Sequence, residues 1–147
     1  MDYRQILADQ RSELDNLELS ALVPRIEEGQ INLKSKLAQI VIGVRRSGKS
    51  TLCQKVLLES GVKFGYVNFD DENFSNLKPE QLNEILETLY RLYGPLDYLF
   101  FDEIQNAKEV WPLFVNRLLR QGKHLVITGS NANLLSGELA THLTGRH

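Results

Sequence analysis

Gly43-Val44-Arg45-Arg46-Ser47-Gly48-Lys49-Ser50 has the spacing G-x-x-x-x-G-K-S, and the stretches on either side of it differ in periodicity. Before it, Leu37 to Ile42 (LAQIVI) is a short apolar run rich in β-branched residues, the composition of a buried strand. After it, LCQKVLLES keeps helical spacing and stops at Gly61, a residue suited to a helix cap. A strand, a glycine-rich loop and a helix in that order make a cradle for phosphate. The glycines let the main chain wrap an anion, and successive N–H groups at a helix amino terminus attract its charge. Average residue frequencies give about 0.5% for a chance match in a chain of this length, so phosphate binding is the reading adopted.

Further along the chain the same alternation continues. Val62 to Phe69 (VKFGYVNF) is a second strand candidate, closed by Asp70, Asp71 and Glu72. Leu82, Ile85, Leu86, Leu89, Tyr90 and Tyr93 predict a helix that starts near Pro79 and ends at Gly94-Pro95. Tyr98 to Phe101 is a third strand, Val110 to Leu119 a third helix with Pro112 near its start, and Leu125 to Thr128 a fourth strand. Alternating strands and helices predict an α/β fold. It is a three-layer α/β/α arrangement around a parallel sheet of at least four strands. Towards the amino terminus Tyr3, Ile6, Leu7, Leu14 and Leu17 predict an amphipathic helix packed on the domain. The expected division is a helix and lead-in over residues 1–36 and a core over 37–147.

In open parallel sheets ligands bind beyond the carboxyl ends of the strands, where the polar clusters fall. Within the loop, Gly43, Val44, Arg45, Arg46, Ser47 and Gly48 supply amides, with Arg45 and Arg46 either screening phosphate or facing solvent. Lys49 reaches the β- and γ-phosphates and Ser50 offers a hydroxyl to Mg²⁺, while Thr51 is either a second contact or a helix-packing residue. Tyr98-Leu99-Phe100-Phe101-Asp102-Glu103 then carries an acidic pair to a strand end. There Asp102 is placed to orient the metal shell and Glu103 to activate water. The nucleotide implied is ATP with Mg²⁺.

Composition narrows the alternatives. The 147 residues are 42% hydrophobic and 24% charged, with a formal net charge of -2. These values fit one compact domain and give no clear nucleic-acid signal. A single cysteine, Cys53, excludes an intrachain disulfide and reads as core, and His124, His142 and His147 have no metal-ligand spacing. Trp111, with Phe114 and Leu118, reads as a core stripe. No segment has the ~20 apolar residues of a membrane span, and the amino terminus has no signal-peptide core, so a cytoplasmic location is expected.

Taken together, GVRRSGKSTL, YVNFDDENF, LFFDEIQNAKEVW, VITGSNANLLS and LTGRH resemble the amino-terminal ATPase module of a widespread bacterial and archaeal AAA-type family within the AAA+ superfamily. The strand and helix between the loop and the acidic pair, and the glutamate after the aspartate, are similar to its additional-strand catalytic-glutamate branch. The resemblance implies a sensor strand at His124 to Asn131. In it Ser130 and Asn131, then Thr128, contact the γ-phosphate or the attacking water, although Asn131 also suits a helix cap. It implies that Asn68 restrains the catalytic glutamate, unless it is a turn residue, and that Arg146 acts on a γ-phosphate of its own or a neighbouring subunit. A homo-oligomer or protein partner is compatible with it.

The chain stops where that family's pattern runs on, as a fragment would. Its fifth strand would lie beside the first, so an open edge is expected at Leu37 to Ile42. A nucleotide kinase and a binding-only switch are the rival readings.

Overall fold

The computed structural model describes residues 3–15, 31–43, 48–130 and 143–144. Its elements in chain order are α1 (Tyr3–Asp15), β1 (Gln39–Ile42), α2 (Lys49–Ser60), β2 (Phe64–Asn68), α3 (Pro79–Tyr93), β3 (Tyr98–Asp102), α4 (Trp111–Arg120), β4 (His124–Gly129) and β5 (Leu143–Thr144). All strand pairs are parallel, in the order β2-β3-β4-β1-β5. The fold is therefore the α/β sandwich that the alternation predicts.

Each strand divides its side chains between two cores, because successive residues point to opposite faces. Ile40, Val67, Leu99, Phe101, Leu125 and Ile127 meet α1, α3 and α4 in the larger core. Tyr66, Phe100 and Val126 meet Leu52, Cys53 and Leu57 of α2 in the smaller one. Trp111, Phe114 and Leu118 belong to the larger core, as their spacing predicts. Cys53 is fully buried, and burial pushes its thiol well above the ordinary range, so it is an inert core residue. Gly65 faces α3, and a Cβ built there would lie 2.5 Å from Leu96 Cδ1 and 2.8 Å from Leu89 Cδ2. Its missing side chain is what lets the helix approach the strand.

Two sequence expectations need correction. The first strand begins at Gln39 rather than Leu37, because Leu37 is held in the preceding turn. Its N–H donates to Ser35 Oγ, its carbonyl accepts from Gln39 Nε2, and its side chain is exposed. The open edge beside β1 is also corrected: Leu143 and Thr144 pair with Val41 and Ile42, covering the upper half of that strand.

At the opposite edge, α1 lies against β2 and α3 and does more than bury Tyr3 and Leu7. The buried Gln10 side chain donates from Nε2 to Asn68 O and accepts from Asn68 N at Oε1, both at 3.0 Å. A side-chain amide thus occupies both main-chain groups of the last β2 residue, as a neighbouring strand would, and blunts the edge there. Arg11 donates to Leu92 O at 3.2 Å with its guanidinium 4.7 Å from the Tyr93 ring centre, fixing α1 to the end of α3.

Candidate functional site

The polar groups collect where β3 and β4 end and α2 begins. Gly48 caps α2 at φ 91°, a left-handed conformation that glycine adopts without strain. It directs the chain from the loop into the helix so that Lys49 and Ser50 occupy the first turn. Lys49 is 5% exposed; its Nζ lies 3.1 Å from Glu103 Oε2 and donates to Ser130 Oγ at 3.0 Å.

Three hydroxyls from three elements converge on Asp102. Ser50 Oγ donates to Oδ1 at 2.6 Å, Thr128 Oγ1 donates to Oδ1 at 2.5 Å, and Tyr66 OH donates to Oδ2 at 2.9 Å. Tyr66 is buried, and burial together with the adjacent Asp102 carboxylate raises its phenol far above the ordinary value. It therefore stays a neutral donor at any working pH.

Glu103 follows the strand in a left-handed conformation, φ 56° and ψ 50°, which is rare for a residue with a side chain. Its N–H donates to Thr128 Oγ1 at 2.9 Å. Its carboxylate receives Ser130 Oγ, at 2.6 and 2.8 Å from the two oxygens, and Gln105 Nε2 at 3.2 Å. Burial alone would raise its pKa, but the donors Ser130, Gln105 and Lys49, with the ammonium charge, outweigh burial and hold the carboxyl below its usual range. The side chain is ionised at neutral pH, the form a proton acceptor requires.

Of the residues singled out from sequence, Lys49, Ser50, Asp102, Glu103 and Ser130 come together in one hydrogen-bonded cluster, and Gly43 joins the sheet end through its N–H to Gly129 O. Thr51 is exposed on the first turn of α2, so it does not pack in the core. Asn68 takes its turn role, with Oδ1 accepting from Asp70 N at 2.9 Å, while the Glu103 carboxylate is held by Lys49, Ser130 and Gln105. Val44, Arg45, Arg46, Ser47, Asn131, His142, Arg146 and His147 lie outside the described residues.

Tyr66 and Gln105 were not legible as site residues. A tyrosine between Gly65 and Val67 of β2 was the available signal, because a buried phenol needs a partner and Asp102 ends the next strand. The donor set suits Mg²⁺: one carboxylate and one hydroxyl, both hard oxygen ligands, stand together near Lys49 at the start of α2. Among the described residues no group of three or more His, Cys, Asp or Glu side chains forms an all-protein metal cage. Mg²⁺ commonly relies on few protein ligands and on substrate phosphates.

Comparison with known proteins identifies the family. A family model described as an AAA domain matches residues 35–147. An uncharacterized protein of Methanocaldococcus jannaschii is 39% identical over 136 residues, covering 91% of this chain and 30% of that protein. An uncharacterized protein of Haemophilus influenzae is 38% identical over 117 residues, 74% of this chain and 29% of its own length. The chain thus spans about three-tenths of the curated relatives it matches. Among solved structures, PCH-2 of C. elegans shares the fold, with TM-score 0.51 at 11% identity over 96% of this chain and 42% of that one. The chain belongs to the AAA domain family and carries its nucleotide-binding P-loop module.

Proposed function

We infer that this module binds ATP with Mg²⁺ and hydrolyses it to ADP and phosphate. The observation that carries the reading is the convergence, at one helix amino terminus, of Lys49 with two buried carboxylates that the protein holds in different ways. Among the described residues the Asp102 carboxylate receives three hydroxyls, whereas Glu103 is ionised and paired with the lysine.

In this reading the amides of residues 43–48 and the first turn of α2 cradle the phosphates, and Lys49 exchanges Glu103 for phosphate oxygen, one anion for another. Ser50 and Asp102 hold the Mg²⁺, whose chemistry is to neutralise charge on the transferring phosphate. Glu103 accepts a proton from water as the water oxygen bonds to the γ-phosphorus. The bond from that phosphorus to the bridging oxygen breaks, leaving its electron pair on ADP. Gln105 Oε1, buried and without a hydrogen-bond partner among the described residues, is an acceptor beside Glu103 suited to orienting that water. Ser130 supports the Glu103 carboxylate, and Asn131 and Arg146 are assigned to the γ-phosphate on family resemblance. A neighbouring copy or protein partner would complete the site if such an arginine comes from outside. The single buried cysteine suits a reducing cytoplasm.

The test is phosphate release alongside ATP binding for the wild type and Glu103→Gln. The expected outcome is retained binding with release reduced by about 10²- to 10⁴-fold, the usual contribution of a positioned base. Equal release from both proteins would leave a nucleotide-binding module in which Glu103 has no chemical role. ADP formation only on addition of an acceptor would identify a kinase.

A further inference from the structure

Among the hydroxyls of the described site residues, Thr128 alone bonds to both acidic residues. It is fully buried, opposite Val41 of β1, one residue past the last β3–β4 register pair, Phe101 and Ile127. Its oxygen accepts from Glu103 N at 2.9 Å and donates to Asp102 Oδ1 at 2.5 Å. The hydroxyl thus takes over where the strand ladder ends. It gives the Glu103 N–H a partner while the chain turns into the left-handed conformation, a strained state that persists only where its surroundings hold it.

The two acidic residues depend on Thr128 unequally. Asp102 has further donors on both oxygens, Ser50 on Oδ1 and Tyr66 on Oδ2. The Glu103 N–H has Thr128 as its hydrogen-bond acceptor, and an unsatisfied buried N–H is costly. Removing the hydroxyl would therefore leave Asp102 oriented while the Glu103 main chain loses what holds its turn.

We propose that Thr128 is a positioning residue that acts through the Glu103 main chain, latching the left-handed turn that aims the carboxylate. It differs from a sensor of the γ-phosphate in that it acts without touching nucleotide. The proposal rests on the hydrolytic reading of Glu103 for its effect on rate, but the latch itself is measurable without turnover.

The experiment uses Thr128→Val, which keeps the shape and removes the hydroxyl, and Thr128→Ser, which keeps the hydroxyl. Phosphate release, ATP affinity with and without Mg²⁺, and residue-resolved amide hydrogen exchange are measured on each. The expected result for Thr128→Val is a kcat lowered by about 10- to 100-fold, the scale of a misplaced catalytic group. ATP affinity and its Mg²⁺ dependence stay within about twofold, because Asp102 keeps its other donors. Thr128→Ser should recover most of the rate, and the Glu103 amide, protected in the wild type, should exchange fast in Thr128→Val alone.

Equal losses in both variants, or an unchanged rate and unchanged Glu103 protection in Thr128→Val, would overturn the proposal. If Thr128→Val does not fold, the wild type still decides: a Glu103 amide exchanging as fast as exposed loop amides contradicts the latch. If the wild type binds ATP without releasing phosphate, it is the hydrolytic reading that fails, and the exchange result judges the latch independently.

Discussion

The large core beneath α1, α3 and α4 and the polar rim at the strand ends are built from the same strands, yet different physics governs them. Phe101 is 1% exposed in the core between Phe69 and Phe114. The next two residues, Asp102 and Glu103, are 4% and 7% exposed, and each is enclosed by donors. One step along β3 thus moves from non-directional burial, proportional to area, to a network that is costly wherever a partner is lost. The difference teaches that stability and chemistry are separable here at the level of neighbouring residues.

The largest effect should come from the core side. Phe101→Ala removes a buried ring from an aromatic cluster and is expected to cost about 3–5 kcal/mol in urea unfolding. A loss of under about 1 kcal/mol would show that the core repacks freely, and the contrast with the rim would weaken.

Tyr66→Phe tests the border between the two regions, because the ring sits in the small core and the hydroxyl reaches the rim. Loss of a hydrogen bond to a carboxylate is expected to cost about 1.5–3 kcal/mol. The Mg²⁺ needed for half-maximal ATP binding should rise, since Asp102 loses its donor on Oδ2. A stability loss with no change in Mg²⁺ requirement would assign Tyr66 wholly to packing.

The smallest effect concerns pH. The Glu103 carboxyl is held below its ordinary pKa, so its ionised form stabilises the folded state above the unfolded carboxylate range. That contribution is lost as pH falls through the depressed folded value. The stability difference between wild type and Glu103→Gln, followed by urea midpoints, should be flat from pH 8 to about 6 and narrow in more acidic solution. A difference that widens on acidification would mean that burial, which raises the pKa, outweighs the donors.

Much of the fold is legible in the sequence because the strands are apolar on both faces and α3 and α4 are strongly periodic. The Gly43 to Ser50 spacing and the Asp102–Glu103 pair mark in the sequence the Lys49, Ser50, Asp102 and Glu103 side chains that cluster in the structure. Other features left no periodic trace. Leu143 and Thr144 form too short a strand for any pattern to reveal. Gln10 sits among the polar residues of an amphipathic helix, and only the docked geometry shows its amide acting as a strand edge. For Thr128 the family resemblance implies a contact with nucleotide or water, and nothing in the sequence says that its hydroxyl bonds Asp102 and the Glu103 N–H.

The most direct measurement is a calorimetric titration of ATP, with and without Mg²⁺, into the wild type and Lys49→Ala. The wild type should bind ATP, more tightly when Mg²⁺ is present. Lys49→Ala should lose at least about tenfold in affinity, roughly 1.4 kcal/mol, while remaining folded. Identical binding by the two proteins would contradict the assignment of this rim as the phosphate site.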